Sequence, residues 1–230
     1  MKLLLLLSLS LLTLFANPTD DALQAFKANN YDKAFALYTQ EAQKENTLAQ
    51  RALSYLYFNG IGTKKNQERG FYWLSKAAYN MDVTAQYDLG MMYLNGTNTT
   101  PNPEQARTWL QHAADLNHSD AEYNLALIYY NGDGVENNIT KTTLYLEKAA
   151  QQDHPKATQI IGRIYMQTMK FDKAIPWLEQ NANNGDTEAN YLLGEIYCTQ
   201  GHTKEARLWL DKAIKLGNTK AEVLKKECSP

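Results

Sequence analysis

Residues 85–96 read Ala-Gln-Tyr-Asp-Leu-Gly-Met-Met-Tyr-Leu-Asn-Gly, and related stretches recur along the chain in a fixed phase. With the first alanine as position 0, full copies begin at Ala49, Ala85, Ala121, Ala157 and Ala189, and a partial copy begins at Ala221. Each full copy has an aliphatic residue at position +4, a small residue at +5 and a tyrosine at +8. A Trp-Leu or Tyr-Leu pair follows each tyrosine, and we predict that both residues of the pair lie in the core because they recur with the repeat. Such self-similarity predicts an all-α protein, an α-solenoid of stacked helical hairpins.

Each copy is interpreted as a helix A from position 0 to about +9, a loop, and a helix B that contains the Trp-Leu pair. Glycine after asparagine, as at Asn95-Gly96, predicts the end of helix A, and Pro176 is expected close to the start of its helix B. The loop between the helices is predicted to be four residues shorter in the last two copies. The prediction is a single array at 17–230, with a degenerate repeat at 20–48, full repeats at 49–84, 85–120, 121–156, 157–188 and 189–220, and a cap at 221–230.

The first residues have the order of a secretory signal: Lys2, a leucine-rich run to Phe15, and a small residue at Ala16. We predict cleavage near Ala16 and a periplasmic or secreted protein. The apolar run is shorter than the roughly 20 residues that a membrane span needs, so no span is expected in the mature chain. With 23 basic and 25 acidic side chains and no long run of like charge, a nucleic-acid partner is not expected either.

Cys198 and Cys228 are the two cysteines of the sequence. In an oxidising compartment such a pair is more often bridged than free, and a bridge here would tie the final half-repeat to the last full one. We therefore predict a structural disulfide. A redox role is disfavoured because the chain has no Cys-x-x-Cys motif.

The repeat resembles the Sel1-like family, a relative of the tetratricopeptide repeat, whose motif is Ala-x-x-x-Leu-Gly-x-x-Tyr-x-x-Gly-x-Gly-Val followed by Lys-Ala-x-x-Trp-Leu-x-x-Ala-Ala. Residues 121–150 contain most of it, including Asn-Gly-Asp-Gly-Val at 131–135, although Thr142 replaces one alanine. The resemblance implies a right-handed superhelix. It also implies an adaptor that binds a protein or peptide on the concave face formed by helices A.

Positions +2, +6 and +9 share one face of helix A, away from the core positions 0, +4 and +8. In related solenoids this face and position +10 hold peptide ligands. The candidate partner-binding residues are Tyr55, Phe58, Asn59, Tyr87, Met91, Asn95, Tyr123, Leu127, Tyr130 and Asn131. Two alternatives remain open: the aromatic residues pack against helix B while the asparagines only end helix A, or the array binds its own copies.

A hydrolase is the rival interpretation. The chain distantly resembles the cysteine-rich Sel1-like proteins of helicobacters, which are described as penicillin-binding and weakly β-lactamase-active, but it has alanines where those proteins carry cysteines. It also lacks Ser-x-x-Lys, Lys-Thr-Gly and Ser-Asp-Asn. The four histidines are scattered without a metal-binding spacing, and we treat His112 and His118 as surface residues. No catalytic residue, metal or cofactor is therefore expected.

Overall fold

The computed structural model describes residues 18–228, and within them it contains thirteen α-helices and no strand. They are α1 (Pro18–Lys27), α2 (Tyr31–Gln43), α3 (Thr47–Asn59), α4 (Gln67–Tyr79), α5 (Val83–Asn95), α6 (Pro103–Asp115), α7 (Ser119–Asn131), α8 (Ile139–Gln151), α9 (Pro155–Gln167), α10 (Phe171–Asn183), α11 (Thr187–Thr199), α12 (Thr203–Lys215) and α13 (Thr219–Glu227). Odd-numbered helices are helices A and even-numbered helices are helices B. The prediction of an all-α fold of helical hairpins is confirmed. The predicted signal at 1–16 lies outside the described residues.

The helices group into two compact units, the first ending at His118 and the second beginning at Ser119. In the first unit α1 to α6 pack in succession, and in the second unit α7 to α13 do so. None of the helices between residues 18 and 228 has both the length and the apolar composition that crossing a bilayer requires.

Helices A begin two residues earlier than the sequence predicted, because a polar residue at position −3 caps them. Its side chain accepts a hydrogen bond from the backbone N–H of the alanine at position 0, which removes one unpaired donor from the helix start. The residues that do this are Asn46, Asp82, His154, Asp186 and Asn218. The alanine is thus the third residue of each of these helices.

The loop between helices A and B has a fixed anchor. The backbone N–H of the residue before helix B donates to the carbonyl of the tyrosine at +8, as in Asn102 to Tyr93 at 2.8 Å. The same bond joins His202 to Tyr197 at 2.8 Å, although this loop is four residues shorter. The shortening therefore falls between the tyrosine and helix B, as predicted, and leaves the anchor intact.

The small residue at +5 lets helices A and B of one repeat approach closely. A Cβ atom added at Gly194 would lie 2.5 Å from the Leu210 side chain, and one at Gly162 would lie 2.9 Å from Cγ of Leu178. The leucines of the Trp-Leu pairs are fully or almost fully buried, as are the alanines at position 0 and the aliphatic residues at +4.

The tryptophans were expected in the core as well, and for three of them this prediction is wrong. Trp73, Trp177 and Trp209 are only half-buried, whereas Trp109 is buried. Neighbouring residues of a helix point about 100° apart, so the leucine of the pair faces helix A and the tryptophan lies at the border.

Pro176 lies inside α10, five residues after its first residue Phe171, and not at its start. Proline has no N–H, so the carbonyl of Asp172 cannot receive the usual hydrogen bond from residue 176. The expected position near the helix start is therefore wrong.

Candidate functional site

A groove of about 510 Å³ runs along helices A of the first unit. Helices α1, α3 and α5 supply most of its walls, and α2 and α4 contribute Tyr38 and Leu74. Its lining is mainly apolar, and a volume of this size is typical of ligand-binding clefts. Positions +6 and +9 of α3 and position +6 of α5, which belong to the face that the sequence indicated, thus border this groove.

Three of the predicted partner-binding residues line this groove: Tyr55, Phe58 and Met91. The Tyr55 side chain is 53% exposed and Phe58 and Met91 are half-buried, so all three are accessible. Leu127 and Tyr130, at equivalent positions of α7, line a smaller cavity of about 210 Å³ within the second unit. Each unit therefore presents an apolar depression beside positions +6 and +9.

Tyr87 and Tyr123, at position +2, line neither cavity. The Tyr87 ring stacks on His118 with centroids 4.6 Å apart, and the Tyr123 ring stacks on His154 at the same separation. Each histidine occupies position −3 of the next repeat. The two tyrosines are half-buried by these contacts.

His154 combines three contacts. Its Nδ1 accepts from the backbone N–H of Ala157 at 3.1 Å, its ring stacks on Tyr123, and its Nε2 lies 3.1 Å from Asp120 Oδ1. Because Nδ1 accepts a hydrogen bond, the ring proton is on Nε2 and is donated to Asp120. His112 is exposed, and His118 is half-buried with its ring against Tyr87.

The three asparagines at position +10 are exposed at the ends of their helices. Asn59 Nδ2 donates to the Tyr55 carbonyl at 2.8 Å, and Asn131 Nδ2 donates to an Asp133 carboxylate oxygen at 3.2 Å. Asn95 is exposed as well. The amides of Asn59 and Asn131 therefore make contacts at the ends of their own helices. This agrees with the alternative interpretation, in which the asparagines only end helix A.

The groove also contains charged residues that are not among the predicted partner-binding residues. Arg51 Nε lies 3.1 and 3.2 Å from the two carboxylate oxygens of Asp82, the residue that caps α5. Asp88 lines the same groove, and burial raises the pKa of its carboxyl above the usual value, although the charges of Arg51 and His118 partly oppose this. The sequence does contain a signal that Arg51 lies on the candidate face, because Arg51 occupies the same position +2 as Tyr87 and Tyr123.

Buried polar side chains follow the position 0 alanines at position +1. Gln50 and Gln86 each donate from Nε2 to a backbone carbonyl eight residues earlier, at 3.2 Å. Glu122 occupies the equivalent place in the second unit, where its Oε2 accepts from Gln152 Nε2 at 2.6 Å. Burial raises the pKa of the Glu122 carboxyl, and Lys148 and the Gln152 hydrogen bond partly oppose the shift.

Cys198 on α11 and Cys228 directly after α13 are paired in the structure, with Cα atoms 5.6 Å apart. This separation is in the range that a disulfide requires. Among residues 18–228, no three His, Cys, Asp or Glu side chains come together in an arrangement that could hold a metal ion.

Residues 47–80, 83–118, 119–154 and 187–218 match the Sel1 repeat, and together these segments cover more than half of the chain. The matches leave out α1 with α2 and α9 with α10, which form hairpins of the same kind. No curated protein matches the chain significantly.

Solved structures share the fold. A Sel1 repeat protein from Oxalobacter formigenes is 29% identical, with a TM-score of 0.65, and the match covers 91% of this chain and 87% of that one. The protective antigen c5321 of uropathogenic Escherichia coli is 27% identical, with a TM-score of 0.59 over 86% of this chain and 44% of the antigen. The tetratricopeptide protein YrrB, described as having an unusual peptide-binding site, shares the fold at 19% identity, with a TM-score of 0.52 over 83% of this chain and 96% of its own.

The family matches, the thirteen helices between residues 18 and 228 and the similarity to solved Sel1 repeat proteins agree with one another. Repeats of this kind generally serve as scaffolds for protein interactions. The chain belongs to the Sel1 repeat family.

Proposed function

We propose that this protein is an exported scaffold that binds a peptide or protein partner in the groove of its first unit. The observation that carries the proposal is the groove itself, an accessible and mainly apolar cleft of about 510 Å³ along helices A. Aromatic and methionine side chains at its surface are the residue types that protein-binding sites favour.

The exported location rests on the leader-like sequence at 1–16 and on the cysteine pair. Disulfides persist in oxidising compartments, so a bridge between Cys198 and Cys228 agrees with a periplasmic or secreted protein. YrrB, which has the same fold, is described as having an unusual peptide-binding site, and this supports a peptide as the occupant of the groove.

A photo-crosslinking experiment tests the groove directly. Tyr55 is replaced by a photoreactive phenylalanine analogue, and the same analogue is placed at Tyr72 as a matched control. Both tyrosines belong to the first unit and are similarly exposed, at 53% and 51%, but Tyr72 does not line the groove. After irradiation in cells, crosslinked peptides are identified by mass spectrometry.

We expect a partner crosslinked through position 55 and not through position 72, and a weaker yield when Met91→Ala is added. Equal crosslinking at both positions would contradict a groove-specific partner. Crosslinks only to a second copy of the chain would contradict the scaffold proposal and favour self-association. In that case the molecular size in solution should increase with protein concentration.

A further inference from the structure

Asp88 is the acidic side chain that lines the groove, and nothing neutralises it directly. Within residues 18–228, no basic side chain lies within ion-pair distance of its carboxylate, and no hydrogen bond from another group reaches its oxygens. The walls of the same groove include Phe58, Leu74, Met91 and Met92. A carboxylate in such surroundings is poorly solvated.

Arg51, the basic side chain in the groove lining, is already engaged. Its Nε atom contacts both carboxylate oxygens of Asp82, at 3.1 and 3.2 Å. Asp82 is held in place for this contact because its Oδ1 also accepts from the backbone N–H of Ala85 at 2.8 Å. The charges of Arg51 and Asp82 therefore balance each other. The carboxylate of Asp88 gives the groove a net charge of one negative unit.

The electrostatics of Asp88 agree with this geometry. Burial raises the pKa of its carboxyl, the nearby Asp82 adds to the shift, and the charges of Arg51 and His118 only partly oppose it. An ionised group that is held without a close partner favours any ligand that brings an opposite charge to it.

We propose that the groove binds an apolar peptide segment carrying one Lys or Arg side chain, whose basic group pairs with Asp88. This inference rests on the proposed function and names the chemistry of its partner. The apolar residues of the segment contact Phe58, Met91 and the other apolar walls. The aliphatic stem of the Lys or Arg lies along the same walls, and its charged end reaches the carboxylate.

An uncharged or an acidic peptide segment would fit the groove less well than a basic one. A wholly apolar segment would cover Asp88 and leave a buried charge without a partner, which is unfavourable. An acidic segment would be repelled by Asp88, and the positive charge of Arg51 is already balanced by Asp82. Charge complementarity therefore selects a basic group within an apolar sequence.

A random-peptide display selection on the purified protein tests the proposal. The peptides are displayed with both ends fused or blocked, so that the basic group comes from a side chain and not from a terminal amine. We expect enriched peptides to contain Lys or Arg flanked by apolar residues. The same selection on Asp88→Asn should lose this preference, whereas Asp32→Asn, which removes an exposed carboxylate of α2, should keep it.

Affinity of one enriched peptide is then measured by fluorescence anisotropy. We expect Asp88→Asn to bind about tenfold more weakly, the size of a charge-assisted contact. Replacing the peptide's basic residue by norleucine should cause a similar loss on the wild-type protein and little further loss on Asp88→Asn. The variant should fold at least as stably as the wild type, because it lacks the poorly solvated charge, and urea unfolding checks this.

Enriched peptides without a basic residue, or equal binding to both proteins, would overturn the inference. If such peptides still lose affinity on Tyr55→Ala, the groove remains a peptide site and only its charge preference is wrong. A selection that enriches no peptide at all would count against both the inference and the proposed peptide site.

Discussion

The ring of Tyr123 stacks on His154, with centroids 4.6 Å apart and planes 21° from parallel. His154 begins the next repeat, where its Nδ1 caps α9 through the N–H of Ala157 at 3.1 Å. One buried histidine thus links the face of one helix A to the start of the following helix A. The Tyr87–His118 stack has the same form in the first unit.

Replacing His154 by alanine should lower the free energy of unfolding by about 2 kcal/mol, from the loss of the helix cap and of the aromatic contact. His154→Asn should lose less, because asparagine caps helices A at Asn46 and Asn218. Urea unfolding followed by circular dichroism measures both variants. Equal losses for the two variants would show that capping is not what His154 contributes.

Glu122→Gln should raise stability by about 1 kcal/mol at neutral pH, because it removes a charge from a fully buried side chain that has one unpaired oxygen. Glutamines already occupy the equivalent places at Gln50 and Gln86 without a charge. The glutamine also retains an acceptor for Gln152, as in the Gln50–Asn80 contact at 3.1 Å.

The advantage of this variant should depend on pH. The folded-state pKa of Glu122 is raised, so the folded protein holds a proton that the unfolded chain releases, and the wild type loses stability as pH rises through this window. The gain from Glu122→Gln should therefore be small in acid, below the unfolded pKa, and complete above the folded pKa. Unfolding curves across this range check the sign, and a gain that grows toward acid pH would contradict it.

Gly194→Ala should destabilise the second unit by about 1–2 kcal/mol. The new Cβ would meet Leu210 at 2.5 Å, and overpacking of this kind costs more than the gain in helix propensity returns. The substitution Leu210→Ala should cost less in the Gly194→Ala background than in the wild type, since it removes the clash. Additive effects in this double-mutant cycle, measured by urea unfolding, would argue against the contact.

The oxidised protein should contain no titratable thiol, because Cys198 and Cys228 are paired. Reduction should then lower the free energy of unfolding by about 3–4 kcal/mol, as expected for a loop of 30 residues. A thiol assay in denaturant and unfolding with and without reductant test these points. The Cys198→Ser, Cys228→Ser double variant is the control, and its stability should not respond to reductant.

Much of the fold could be predicted because the same core contacts recur in every repeat. The alanines at position 0, the leucines of the Trp-Leu pairs and the small residues at +5 recur in phase, and each recurrence marks one close helix contact. The sequence also contains a signal for the true helix starts. Asp82 and Asp186 lie three residues before an alanine and are good capping residues, so the helices begin two residues before that alanine and not at it.

The candidate site was predictable only as a face. Helix periodicity alone placed Tyr55, Phe58, Met91, Tyr87 and Tyr123 together, since it fixes only the direction of each side chain around its own helix. The structure separates them, because the two tyrosines at +2 reach the capping residue of the next repeat while the other three line the groove.

The sequence by itself therefore determined the helical hairpins, their repeat and their shared core, because these depend on contacts that recur at a regular spacing. Only the tertiary structure decided which side chains remain available to a partner. Arg51 is engaged by Asp82, which is 31 positions later, and among residues 18–228 no other basic side chain forms an ion pair with Asp88 in the groove. Such pairings depend on distances between side chains of successive repeats, which the periodicity of one helix does not contain.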